Sequence, residues 1–227
     1  MKASFVGREA ELQLLDRLWA RSDATLLILY GRRRVGKTRL LRRLVEARRG
    51  LYSQAIEAPR DLQIEQVFHD VRARLDTAFT PKTWAELLEL LSLQKQRWTL
   101  CLDEFPYLTA VDPSLPSQLQ RWLDHSIPKG CLLILAGSST RMMHDLFLNP
   151  AAPLYGRAQK LLQVAPMDYA AFCAACGKSP AEMDSFEQFS LVGGVPKYWE
   201  FVDRGQNTAA LADALYFDAA AYMEQEL

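Results

Sequence analysis

The segment LILYGRRRVGKTRLL, residues 27 to 41, sets a glycine-framed, arginine-rich turn directly after an apolar run. The run ATLLILY, residues 24 to 30, is continuous and of strand length, as in a strand covered on both faces. Leu40, Leu41, Leu44 and Val45 then recur at helical spacing up to Gly50. Gly31 to Thr38 fits the pattern GxxxxGK[ST], with the preceding strand and following helix that this pattern requires. Gly31 and Gly36 let the backbone wrap tightly, so that successive N–H groups converge on anionic oxygens while the helix directs its positive end at the same point. Lys37 is expected at the terminal phosphates of a nucleotide, and the Thr38 hydroxyl on a magnesium ion. The expected cofactor-binding residues of this stretch are therefore Gly31, Arg32, Arg33, Arg34, Val35, Gly36, Lys37, Thr38 and Arg39. Two readings of the arginines stay open: they add to the anion field, or they point into water as loop charges usually do.

A phosphate loop alone is compatible with a small-molecule kinase, a GTPase or an ATPase. The run TLCLDE, residues 99 to 104, narrows the choice. It ends in Asp103-Glu104, which fits a strand-terminal acidic element whose first carboxylate sits near magnesium and whose second polarises an attacking water. Kinases and GTPases seldom place a glutamate there. Gly137-Ser138-Ser139 closes the next apolar run, and the Ser138 hydroxyl is expected to hydrogen-bond the water or the terminal phosphate.

The rest of the chain supplies the scaffold. Strands are expected over 24–30, 51–56, 98–104, 131–139 and 160–166, alternating with helices. That alternation predicts an α/β fold, a five-stranded parallel sheet between helices, with function at the carboxyl ends of the strands. Past residue 168 only short helical segments follow, punctuated by Gly, Pro and Asn, which predicts a small all-helical subdomain. At 227 residues, 49% of them hydrophobic, the chain can bury this core without disulfides. Its 27 basic and 27 acidic residues cancel, so net charge points to no partner. The start lacks the apolar core of a signal peptide, and no run reaches the roughly 18–20 apolar residues of a membrane span, so a cytoplasmic location without membrane contact is expected. Cys101 and Cys131 fall in apolar runs and read as core, and the lone Cys173-x-x-Cys176 has no second pair to complete a zinc site. His69, His125 and His144 are scattered through helical segments with no partner cluster.

Together these residues resemble ATPases of the additional-strand-glutamate P-loop group, and more narrowly the archaeal-type ATPases at the border of the AAA+ and STAND classes. Phe5-Val6-Gly7-Arg8-Glu9, followed by Glu11-Leu12, resembles that family's N-terminal element. YGRRRVGKT, LDEFPYL, AGSS, PLYGR and GGVPKY resemble further blocks in the family order. The resemblance implies ATP and Mg2+ as cofactors, with Val6, Gly7 and Arg8 against the adenine. It implies a P-loop ATPase domain over residues 1–167 and a helical lid over 168–227. Arg157, after the Pro153-Leu154-Tyr155-Gly156 turn, corresponds to an arginine that approaches the nucleotide within one subunit or from a neighbour in a homo-oligomer. Pro196 lies where the lid backbone turns toward the nucleotide. Related chains continue into a winged-helix and commonly a nuclease-like domain, whereas this sequence ends at YMEQEL. A fragment, or a short member without its output module, is the expectation, with any DNA or protein partner engaged through that module.

By this reading Lys37, Glu104, Ser138 and Arg157 are catalytic, Thr38 and Asp103 hold the metal, and the reaction is hydrolysis of ATP to ADP and phosphate driving a conformational switch. A stoichiometric ATP/ADP-binding switch with little turnover is the alternative, and a small-molecule kinase the third.

Overall fold

The computed structural model describes residues 5–48, 50–72, 75, 77–203 and 205–217. In chain order the elements begin with α1 (Glu9–Trp19), β1 (Thr25–Tyr30), α2 (Lys37–Ala47), β2 (Leu51–Gln54), α3 (Arg60–Val71) and α4 (Trp84–Ser92). There follow β3 (Thr99–Asp103), α5 (Phe105–Val111), α6 (Leu115–His125), β4 (Leu132–Gly137), α7 (Thr140–Phe147) and β5 (Lys160–Gln163). The last part holds α8 (Tyr169–Cys176), α9 (Met183–Val192), a 3-10 turn (Tyr198–Phe201), α10 (Thr208–Ala212) and a π-helical turn (Asp213–Phe217).

The five strands form one parallel sheet in the order β2-β3-β4-β1-β5. Every residue of β3 and β4 is buried, as is all of β1 up to Leu29, which is why these strands read as uninterrupted apolar runs. Thr25 to Tyr30 pair in register with Leu132 to Gly137, and Thr99 to Leu102 with Leu132 to Leu135. The carboxyl ends of β1, β3 and β4 are thereby brought level, and the chain leaves them as Gly31, Glu104 and Ser138. Because β4 lies between β1 and β3, residues 138 and 139 emerge between the phosphate loop and the acidic pair. Leu26, Ile28, Leu100, Leu102, Leu133 and Leu135 pack with Phe105, Leu119, Trp122 and Phe147 in one apolar core. Burying such side chains is the main force holding the strand ends in place, at about 25 cal/mol per Å² of apolar surface removed from water.

α5 was not legible from periodicity: its seven residues, FPYLTAV, are too few to show a repeat, and Pro106 supplies the fixed φ of a first helical turn. Ser139 caps α7 by accepting from the Met142 amide at 3.3 Å. That cap fixes the direction in which the chain departs from Ser138.

The chain divides into two compact units, the sheet unit (Glu9–Arg33 and Lys37–Val164) and a helical unit made of the residues up to Arg8, Arg34–Gly36 and the residues from Ala165 on. The helical unit has its own core of Phe172, Cys173, Val192, Tyr198, Trp199, Leu211 and Leu215. Asp168 caps α8 through the Ala171 amide at 2.9 Å, and Met167 N–H donates to Gly194 C=O at 2.7 Å. The last of the expected short helical segments begins at Asn207, whose side chain caps α10 by accepting from the Ala210 amide, and its part beyond Phe217 lies outside the described residues. No helix among the described residues is long and apolar enough to cross a membrane.

Candidate functional site

Gly31 ends β1 hard against the neighbouring strand: a Cβ there would lie 2.4 Å from the Val164 carbonyl oxygen, so a side chain has no room. Gly36 takes φ 97°, a conformation that L side chains rarely adopt, in the turn just before α2. Arg34 also has a positive φ, 69°, so the loop is bent at two places. Arg32, Arg33, Arg34 and Arg39 are exposed, and Arg33 Nη2 donates to the Tyr107 hydroxyl at 3.1 Å.

Lys37 is only 5% exposed, and its ammonium donates to the carbonyls of Gly31 at 2.8 Å and Arg32 at 3.1 Å. Burial lowers its pKa, while the negative charges of Glu104 and Asp103 oppose that shift and Arg33 adds to it. The amine is therefore held by its own loop, with both carboxylates close enough to act on it.

Asp103 closes β3 fully buried, its carboxyl group set among three donors. Its Oδ2 accepts from the Thr38 hydroxyl at 2.6 Å and from the Tyr52 hydroxyl at 2.9 Å, and its Oδ1 accepts from the Glu104 amide at 3.0 Å.

Glu104 occupies the left-handed region, at φ 54° and ψ 41°, a costly place for a residue with a long side chain. The twist turns its carboxylate toward β4, where Oε2 accepts from the Ser138 amide at 3.1 Å and the Ser138 hydroxyl at 2.8 Å. Thr38, Asp103, Glu104 and Ser138, four of the residues expected to act together, thus form one connected group, and the charges of Asp103 and Glu104 act on the Lys37 ammonium held by Gly31 and Arg32.

The donor set fits magnesium. Thr38 and Asp103 bring one hydroxyl and one carboxylate together, hard oxygen ligands of the kind that hold this ion alongside substrate phosphates rather than in an all-protein cage. Among the described residues no group of three or more His, Cys, Asp and Glu side chains is placed to hold a metal by itself.

Arg157 belongs to another arrangement in the sheet unit. Its Nε and Nη2 grip Asp124 Oδ1 and Oδ2 at 3.0 and 2.9 Å, and Nη1 donates to the Pro153 carbonyl at 2.9 Å. The fork-on-fork pairing holds the Asp124 carboxyl below its usual range. Val6, Arg8 and Pro196 lie in the helical unit. Val6 packs on its apolar core, Arg8 Nη2 donates to Val35 C=O at 2.9 Å and Ala165 C=O at 2.7 Å, and Pro196 C=O accepts from the Trp199 amide as the 3-10 turn begins. Gly7 and Met167 are in close contact there. The Arg8 head group is thus committed to backbone carbonyls, one of them inside the phosphate loop.

Tyr52 is the site residue that reading the sequence missed. It stands opposite Cys101 in the β2–β3 register, so Asp103 is its diagonal neighbour on the same face. Nothing local in LYSQ announces this, because the pairing partner lies about fifty positions away.

Residues 5–202 match the family described as an ATPase domain predominantly from Archaea. The chain belongs to this archaeal ATPase family. Membership of this family supports ATP binding by the chain. An uncharacterized protein of Methanocaldococcus jannaschii is 28% identical over 209 residues, which is 88% of this chain and 46% of that one. An uncharacterized ATP-binding protein of the same organism is 55% identical over 42 residues, 18% of this chain and 71% of the relative. The chain therefore spans about half the length of the longer relative. In fold it is similar to the Walker-type ATPase Paby2304 of Pyrococcus abyssi, with a TM-score of 0.66 at 20% identity over 97% of this chain and 71% of that one. The five-stranded parallel sheet with its flanking helices is thus the P-loop architecture expected from the sequence.

Proposed function

We propose that this archaeal-family ATPase domain binds ATP with magnesium and hydrolyses it to ADP and phosphate, and that turnover resets a conformational switch in a cytoplasmic protein. The observation that carries the reading is the unbroken chain of contacts Thr38–Asp103–Glu104–Ser138 at the ends of α2, β3 and β4. Lys37 leaves the carbonyls of Gly31 and Arg32 to meet the terminal phosphates, and the N–H groups of the loop take phosphate oxygens. Thr38 and Asp103 hold magnesium, which when bound neutralises charge on the phosphate oxygens. Glu104 orients a water and accepts its proton as the water oxygen bonds to the terminal phosphorus and the bond to the ADP oxygen breaks. Since Ser138 occupies Oε2, the proton goes to Oε1.

The test is phosphate release alongside binding of a fluorescent ATP analogue, in the wild type and in Glu104→Gln. Release by the wild type, lost in the variant with binding kept, supports hydrolysis. A wild type that binds ATP but releases no phosphate above the buffer rate would leave the second reading, a stoichiometric ATP/ADP switch acting through a protein or DNA partner. One observation favours that reading: the Lys37 ammonium is held by the carbonyls of Gly31 and Arg32 and must leave them before it can act.

A further inference from the structure

We infer that Tyr52 is a positioning residue for the metal side of the site: its hydroxyl holds the Asp103 carboxylate in the orientation that serves magnesium, and so sets the metal affinity of the nucleotide complex. The inference rests on the reading of Thr38 and Asp103 as the magnesium-side residues.

Three contacts carry it. The Tyr52 hydroxyl donates to Asp103 Oδ2 at 2.9 Å, the same oxygen that the Thr38 hydroxyl reaches at 2.6 Å. The Arg42 guanidinium of α2 lies over the Tyr52 ring, 5.2 Å from its centroid, so the ring is gripped from the helix that begins with Lys37 and Thr38. Gln54 Oε1, at 3.4 Å, is the weaker competitor for the phenol proton, and the Asp103 carboxyl oxygen at the shorter distance takes it. α2, β2 and β3 are thereby tied in a ring, Thr38–Asp103–Tyr52–Arg42, that closes back on α2.

The geometry has a directional consequence. Asp103 is fully buried and its other oxygen is fixed by the Glu104 amide, so the two ends of the carboxylate are set by separate donors. Without the phenol, only Thr38 would restrain Oδ2, and Thr38 is itself expected on the metal. Partners of this outer kind, which orient a metal-side ligand without touching the metal, change metal affinity by about 10- to 100-fold when removed.

The experiment titrates Mg2+ against binding of a fluorescent ADP analogue, starting in EDTA, for the wild type, Tyr52→Phe and Arg42→Met. Mn2+ binding in the presence of ADP, read by electron paramagnetic resonance, is the second measurement. Tyr52→Phe keeps the ring and its cation contact and removes one oxygen. It is expected to raise the half-saturating Mg2+ and Mn2+ concentrations about 10-fold, while ADP affinity in EDTA stays within about twofold. Arg42→Met, which keeps the hydroxyl, is expected to hold both quantities within about threefold, since an exposed cation–ring contact contributes only about 0.5–1 kcal/mol. An unchanged metal midpoint in Tyr52→Phe overturns the inference, as does an equal loss of ADP binding with and without metal, or a variant that no longer unfolds cooperatively. A wild type that binds no adenine nucleotide at any Mg2+ concentration would instead sink the ATP reading on which the inference stands.

Discussion

Ser138 donates to Glu104 twice, from its hydroxyl at 2.8 Å and from its amide at 3.1 Å, and both bonds end on Oε2. The serine that the sequence offered as a phosphate sensor is thus attached to the proposed base. If its task is to aim Glu104, Ser138→Ala lowers kcat about 10-fold, a part of the 10²–10⁴-fold that general base catalysis supplies, and leaves KM within about twofold. Steady-state phosphate release separates the alternatives: a raised KM at unchanged kcat would place Ser138 on the nucleotide itself.

Glu104→Gln keeps the shape of the side chain and removes the basic oxygen. Hydrolysis is expected to fall at least about 100-fold while ATP affinity stays within a few-fold. Equilibrium binding beside single-turnover phosphate release measures both, and a variant that turns over at the wild-type rate would remove Glu104 from the mechanism.

Arg157 is saturated by Asp124 and Pro153, so Arg157→Met is expected to leave kcat within about threefold. Its effect should appear in acid behaviour instead. The Asp124 carboxyl is held below the usual carboxylate range, chiefly by the hydrogen bond from Arg157, so the pair's contribution is present above that range and disappears as pH falls through the lower, folded-state pKa. The gap in unfolding temperature between wild type and Arg157→Met should therefore be largest near neutral pH and close as the solution is acidified below the ordinary carboxylate range. A gap that widens in acid would contradict the ion-pair account.

Lys37→Met removes the ammonium while keeping an apolar stem of similar length. Binding of ATP is expected to weaken by more than about 100-fold, because the terminal phosphates lose a charged donor in a site where hydrogen bonds to ions contribute about 1.5–3 kcal/mol each, together with the Coulomb attraction of the charge. Isothermal titration against ATP decides it, and a loss below about fivefold would mean that the lysine stays with Gly31 and Arg32.

The strands could be read because each of the central ones is covered on both faces: ATLLILY, WTLCLDE and CLLILAGSS have no choice but to be apolar. Lys37, Thr38, Asp103 and Glu104 were legible for a related reason, since each sits at a fixed offset from the end of such a run. What escaped was whatever depends on pairing at a distance. Tyr52 reads as an ordinary strand residue until β2 is known to lie beside β3, and the attachment of Ser138 to Glu104 depends on β4 lying between β3 and β1. The left-handed turn at Glu104 was equally hidden, because no glycine or asparagine marks it. Short elements such as α5 and the π-helical turn at Asp213–Phe217 give too few residues for a period to emerge.

Gly31 sits 2.4 Å, at the place of its missing Cβ, from the Val164 carbonyl oxygen, while the Val164 amide donates to Tyr30 at 2.7 Å. Gly31→Ala is expected to cost about 1–3 kcal/mol through forced displacement of backbone, measurable as a lower denaturant midpoint at unchanged slope. The same crowding gives the nucleotide loop a fixed root on its upstream side. Any rearrangement of the loop on binding phosphate is therefore expected among residues 32 to 36, downstream of a root pinned against the residue that follows β5.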